Sequence, residues 1–265
     1  MMDDQRLFAI EQGGAERGEG PVTPIIFLHG FDGRAEIWAP LQDALSSSQR
    51  RTIAFDLPGH GRSRDYPGFG PPKIAARALL AELDARGITA VHIVGHSMGG
   101  AIASLIGLFA PDRVASLTLL APGGFGKEIG AERIRAVMDA AGVDAIGTAL
   151  GGMGAPGWVP DSDTVAAIAA ARNPAGRAAI RQIFDHLFST GEQDVLPLDA
   201  IAATGRPVHV IWGTEDRVTP IAQASGVPRE FTVTRLDGFG HMLMLEAPAA
   251  CIAAIRANME EVEKR

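Results

Sequence analysis

A serine hydroxyl becomes a useful nucleophile only when a base takes its proton and a third group holds that base. The pentapeptide GHSMG (95–99) offers such a serine, Ser97, with glycine two positions to either side. The pattern fits a sharp strand-to-helix turn in which side chains at 95 and 99 would collide and the serine oxygen is aimed into a cleft. In a chain with 32 glycines the pentapeptide alone is only moderately specific. Partners come later in the chain, in order: TEDRVTP (214–220) puts Asp216 after one apolar run, and FGHMLMLEAP (239–248) puts His241 after the next. His241 would take the serine proton and return it to the leaving group, an effect of ~10²–10⁴-fold, while Asp216 fixes its tautomer. Attack on a carbonyl creates an oxyanion that needs two N–H donors. Met98, directly after the serine, supplies one, and Phe31, behind the glycine of HGFDG (29–33), supplies the other.

Rivals exist for each role. Glu215 should point away from its neighbour, and Asp237 lies close to its strand. His92 and His209 fall inside strands, His186 in a helical stretch and His96 within the turn itself. No histidine pair has zinc-ligand spacing, so no metal is expected.

The elements that must position these groups are short apolar runs alternating with helical patterns. Strands are expected over 24–30, 50–59, 90–97, 116–122, 207–213 and 231–238. Most are apolar throughout, as in parallel strands buried on both faces. PPKIAARALLAELDARG (71–87) reads as a helix, with proline at its start and glycine at its stop. Ligands of such sheets bind beyond the carboxyl ends of the strands, where all three residues would meet. Residues 123–203 break the rhythm with helical patterns only, which predicts a cap inserted into a core of residues 1–122 and 204–265. Within it, LGGMGAPG (150–157) reads as a mobile hinge, and Met153, Trp158, Phe184 and Phe188 could wall an apolar pocket with Phe31 and Met98. Aromatic residues at helical spacing equally suit the cap's own interior.

The chain has 265 residues, 46% of them hydrophobic and 21% charged, and a formal net charge of −7. That balance suits a globular protein and argues against a nucleic-acid partner, which needs a basic footprint. No apolar run approaches the ~20 residues of a membrane span. The start, MMDDQRLFAI, lacks the pattern of a signal peptide, so a cytoplasmic location is expected. Cys251 is the sole cysteine and is expected to be a buried, inert thiol. A small-molecule acyl substrate is the expected partner; assembly as a homodimer is left open.

LHGFDG (28–33), DLPGHGRS (56–63), GHSMGG (95–100), GTEDRVTP (213–220) and GHMLMLEAP (240–248) together resemble the α/β-hydrolase family. The resemblance implies its fold, a mostly parallel central sheet with helices on both faces and a helical cap insertion. It also implies a cofactor-free triad of Ser97, Asp216 and His241, with Phe31 and Met98 as oxyanion donors. DLPGHGRS is mainly architectural in the family, which leaves His60 and Ser63 outside the chemistry. RLFAIEQGG (6–14) supplies one early strand where the family usually has two.

Three readings are open. GHMLMLEAP is similar to ordinary esterases and to the acyltransferase-type hydrolase domain of acetoin catabolism, which implies a serine esterase. LAPGGFG (120–126) is similar to hydrolases that cleave carbon–carbon bonds of aromatic ring-fission products, although His96 and Met242 stand where those carry asparagine and tryptophan. Such a substrate needs a cationic anchor; Arg172, Arg177 and Arg181 are the candidates, against the simpler expectation of a solvated helix face. The third reading is a non-catalytic ligand-binding member of the fold.

Overall fold

A computed structural model describes residues 6–14, 22–47 and 49–264. Its centre is a seven-stranded sheet. In chain order the strands are β1 (Ala9–Gln12), β2 (Ile25–Leu28), β3 (Thr52–Phe55), β4 (Val91–His96), β5 (Val114–Leu120), β6 (Val208–Gly213) and β7 (Thr232–Leu236), arranged β1-β3-β2-β4-β5-β6-β7. Only β1 runs antiparallel, against β3. All six expected strands form. β5 begins and ends two residues earlier than expected, β3 keeps only four of the ten expected residues, and the other four are trimmed at their ends. Among the described residues β1 alone precedes β2.

Every residue of β2, β3, β4 and β6 is buried, as the uninterrupted apolar runs require, whereas β7 at the edge is half-exposed. The helices outside the long insertion are α1 (Ala39–Leu45), α2 (Pro72–Ala85), α3 (Met98–Phe109), α9 (Leu243–Glu246) and α10 (Pro248–Glu263). They pack in two groups, α2 with α3 and α1 with α10, flanking the sheet. Pro72 opens α2, where a missing N–H costs nothing, and Gly87 at φ +66° follows its end. Cys251 is fully buried in α10, and burial pushes its thiol up to about 12.

Between β5 and β6 lie five helices, α4 (Ala131–Asp139), α5 (Val143–Gly151), α6 (Ser162–Ala171), α7 (Pro174–Phe188) and α8 (Leu198–Ala202). Asp161 accepts the Thr164 N–H (2.9 Å) to start α6, and Asn173 accepts the Gly176 N–H (2.8 Å) to start α7. Much of the expected hinge at 150–157 is tied down. Met153 O accepts the His241 N–H (3.0 Å), and Ala155 N–H donates to Glu246 (2.9 Å).

The register brings the strand ends level with one another. Leu28 pairs with Gly95, His96 with Leu120, Leu120 with Ile211 and Gly213 with Leu236. The carboxyl ends of β2, β4, β5, β6 and β7 therefore line one edge of the sheet.

Candidate active site

Ser97 leaves β4 and starts α3 with φ +51° and ψ −117°, a region that a non-glycine residue enters only when its surroundings force it. They do. Its N–H donates to Leu120 O (3.0 Å), and its carbonyl accepts from the N–H groups of Gly100 (2.9 Å), Ala101 (3.2 Å) and Gly123 (2.9 Å). The flanking glycines are required by close approach. A Cβ at Gly99 would lie 2.1 Å from Leu28 O, and one at Gly95 would lie 2.4 Å from Gly99 O.

Asp216 follows β6. Its Oδ1 accepts the N–H groups of Val218 (2.8 Å) and Thr219 (2.9 Å); its Oδ2 accepts the Thr219 hydroxyl (2.9 Å) and His241 Nδ1–H (2.9 Å). Both side chains are buried. The tautomer set by that carboxylate leaves Nε2 as a bare lone pair, and Nε2 is buried with no partner. It borders the same cavity as Ser97. No hydrogen bond joins Ser97 Oγ to Nε2 here.

The backbone of His241 is gripped from several sides. His96 Nε2–H donates to its carbonyl (3.0 Å), the two rings lie 4.7 Å apart, and its N–H reaches Met153 O. Glu246 takes the N–H groups on either side, Gly240 (2.9 Å) and Met242 (2.8 Å), together with that of Ala155. Burial pushes the pKa values of His96 and His29 well down, and that of His60 down, so these three rings are neutral at pH 7. Glu246→Gln should lower stability by about 1–3 kcal/mol, because an amide nitrogen would then face a backbone N–H. An unchanged urea midpoint would refute the bridging role.

On the opposite wall, Gly30 presses against the nucleophile: a Cβ there would lie 3.2 Å from Ser97 Cβ and 2.8 Å from His96 Nδ1. Among the described residues, neither the Phe31 nor the Met98 N–H donates to a protein acceptor. Asp56 braces the loop from behind, accepting the N–H groups of Ala35 (2.7 Å) and Arg62 (2.7 Å), while Ser63 accepts the Phe8 N–H (2.9 Å). Both act architecturally.

Ser97 and His241 open on a cavity of about 350 Å³. Ile37, Pro40 and Leu245 of the core face Ile134, Val137, Leu150, Met153, Ala167 and Ile168 of the insertion across it. Phe31 and Met153 line it, but Met98, Trp158, Phe184 and Phe188 do not. Phe184 and Phe188 stack on each other (5.2 Å) and on the Phe31 ring (5.9 and 6.1 Å), and Trp158 covers Gly154. The phenylalanine contacts join α7 to the loop after β2. Two of the three arginines depart from a solvated face. Arg172 and Arg177 both bind Asp32, and Arg172 lines the cavity; only Arg181, paired with Asp139, is exposed. Thr219, Glu246 and Asp32 went unmarked in the sequence, since a contact with a distant loop leaves no periodic trace.

Residues 25–254 match the sequence profile of a family described as the alpha/beta hydrolase family. The chain belongs to the α/β-hydrolase family. Among curated relatives, the dihydrolipoyllysine-residue acetyltransferase components of acetoin cleaving systems from Cupriavidus necator and Pseudomonas putida are each 31% identical, over 88% and 90% of this chain. The aligned region spans 62% and 69% of those proteins, respectively. Among solved structures, a meta-cleavage product hydrolase from Pseudomonas fluorescens superposes with a TM-score of 0.78 at 20% identity, covering 97% of this chain and 93% of that one. That likeness shows the α/β-hydrolase fold, and family membership supports hydrolase activity. Among the described residues, no helix is long and apolar enough to cross a membrane, and no cluster of side chains could hold a metal.

Proposed function

We propose that this α/β-hydrolase cleaves small carboxylic esters through an acyl-enzyme on Ser97, beneath a cap formed by residues 123–203. The observation that carries the reading is that a strained serine and an unpartnered, Asp216-oriented imidazole nitrogen border one apolar cavity. His241 Nε2 takes the hydroxyl proton as Ser97 Oγ bonds to the ester carbon. The Phe31 and Met98 N–H groups receive the oxyanion. As the oxyanion collapses, the carbon–oxygen bond to the alcohol breaks, and the imidazolium protonates the departing oxygen. Water, deprotonated by the same nitrogen, then attacks the acyl carbon; proton return to Ser97 Oγ frees the carboxylic acid.

Carbon–carbon cleavage of a carboxylate-bearing ring-fission product would use the same three residues but needs a free cation. Of the three arginines singled out in the sequence, Arg172 alone lines the cavity, and its terminal nitrogens are engaged by Asp32, Val137 O and Ala140 O. Arg34 of the loop after β2 also lines it, with Nη2 reaching Ala171 O at 3.5 Å. Arg172 is thus committed to the protein, and the mostly apolar wall suits a small ester, while Arg34 is the cation a carboxylate-bearing substrate would use. Incubation with a fluorophosphonate should label Ser97 stoichiometrically, alongside turnover of short-chain nitrophenyl esters. Absence of labelling would instead support a ligand-binding member of the fold, and turnover of a ring-fission product but no ester would support the carbon–carbon reading.

A further inference from the structure

Asp32 sits one residue beyond Phe31 in the loop after β2, at φ +56°, with only 11% of its side chain exposed. Aspartate tolerates this left-handed conformation better than most residues do, but it still needs holding there. Both carboxylate oxygens are held from the insertion. Arg177 Nη1 donates to Oδ1 (2.6 Å) and Arg172 Nη2 to Oδ2 (3.1 Å). The same guanidiniums continue outward to the end of α4, Arg172 to Val137 O (2.6 Å) and Ala140 O, and Arg177 to Met138 O. Burial pushes the Arg172 guanidinium down, and the Asp32 charge pushes it back up. Removing the carboxylate would leave two half-buried cations facing each other.

The turn is short. Gly33 N–H closes back onto Gly30 O (3.1 Å), the carbonyl of the same peptide that carries the Phe31 N–H, so the geometry of the 30–33 turn, with Asp32 inside it, sets where that N–H points. The Phe31 ring is meanwhile wedged between His60 and the Phe184–Phe188 pair of α7. One helix, α7, thus grips Phe31 and Asp32, the two central residues of the turn that follows Gly30.

We infer that Asp32 is a positioning residue through which the seated insertion, by Arg172 and Arg177, aims the Phe31 N–H at the oxyanion site. This rests on the ester-hydrolase reading, because it assigns the Phe31 N–H a role only in that chemistry. When the insertion lifts, both guanidiniums leave and the loop loses its anchor. The donor is then complete only over a closed site, which ties the attack on the carbonyl to exclusion of water.

The test uses the full chain with Asp32→Asn, Arg177→Met, their double variant, and Arg181→Met as a control on the same helix. In each of the first three, kcat for a short nitrophenyl ester should fall about tenfold, a fraction of what loss of a whole oxyanion donor costs. KM should stay within about threefold, since the lost interaction belongs to the transition state. The double variant should be no slower than the slower single one, because the two changes break one linkage. Arg181→Met should leave kcat unchanged. Hydrogen–deuterium exchange reads the linkage without any chemistry: Arg177→Met should speed exchange of the backbone amides of residues 31–35, although the substitution lies in α7. Unchanged exchange there, with faster exchange confined to residues 131–190 and kcat retained, would overturn the proposal and reduce the arginines to glue for the insertion. If the wild-type protein hydrolyses no ester, the functional reading fails on its own, and the exchange result still decides whether the linkage exists.

Discussion

Ser97→Ala should lower kcat for short nitrophenyl esters by at least about 10⁴-fold and abolish fluorophosphonate labelling, with the fold unchanged. Both expectations come from the same local geometry. The left-handed backbone at 97 is held by four backbone hydrogen bonds, none of which involves the side chain. Alanine carries the same Cβ as serine, so the strain is no worse. Among the described residues Ser97 Oγ has no hydrogen-bond partner, so its removal strands none. The urea unfolding midpoint should therefore move little, with a change within about 0.5 kcal/mol. On the proposed mechanism, what disappears is the oxygen that the His241 nitrogen would activate for covalent attack. The N–H groups of Phe31 and Met98 would still bind an oxyanion, which leaves a residual rate above that of water alone. A variant that keeps more than about a tenth of wild-type kcat would require another nucleophile and would remove Ser97 from the mechanism.

The strands were legible because a parallel strand buried on both faces must be apolar along its whole length. Runs such as IIFL and VHIVGH therefore announce themselves without knowledge of their neighbours. The residues just past those runs inherit a position at the sheet edge, which is why the placement of Ser97, Asp216 and His241 at that edge could be read from sequence. The insertion behaved differently. Phe184 and Phe188 are one helical turn apart, which gives them a shared face, but periodicity does not say whether that face meets a cavity or the Phe31 ring. Arginines at 172, 177 and 181 look alike in sequence; their difference lies in Asp32, more than a hundred residues earlier.

Residue types alone would also have allowed a false site. Ser116 Oγ and His92 Nδ1 lie 2.8 Å apart across β4 and β5, with Glu263 3.7 Å from the far ring nitrogen. The contacts run from serine to histidine to carboxylate as a triad's do, although the chain order differs. Yet Ser116 and His92 are buried among paired strands, near the strand starts rather than their carboxyl ends. Burial and Arg50 push the His92 pKa down to about 4, so the ring is neutral at pH 7. A functional dyad needs a substrate-sized space beside the hydroxyl; Ser97 has one, and the strain at 97 is what turns its side chain toward it.

Asp216→Asn isolates the contribution of orientation from that of shape. Two backbone N–H groups point at Oδ1, so the asparagine carbonyl oxygen must occupy that position and the NH₂ must replace Oδ2. The NH₂ then faces His241 Nδ1 at the 2.9 Å where the carboxylate oxygen stood. A donor there forces Nδ1 to accept, and the ring proton moves to Nε2. The nitrogen that should take the Ser97 proton now carries one of its own, and no anion remains to stabilise the imidazolium. A fall in kcat of about 10⁴-fold is expected, roughly 5.5 kcal/mol of barrier at about 1.36 kcal/mol per factor of ten. KM should change far less, because neither Asp216 nor the buried face of the ring borders the space a substrate would fill. Glu215 offers no substitute: its N–H is tied to Phe239 O, and Asp216 alone holds Nδ1 through a carboxylate. An Asp216→Asn protein retaining more than about a tenth of wild-type kcat at pH 7 would mean that the imidazole finds its tautomer without this carboxylate. The orientation argument would then be wrong even if Ser97 remained the nucleophile.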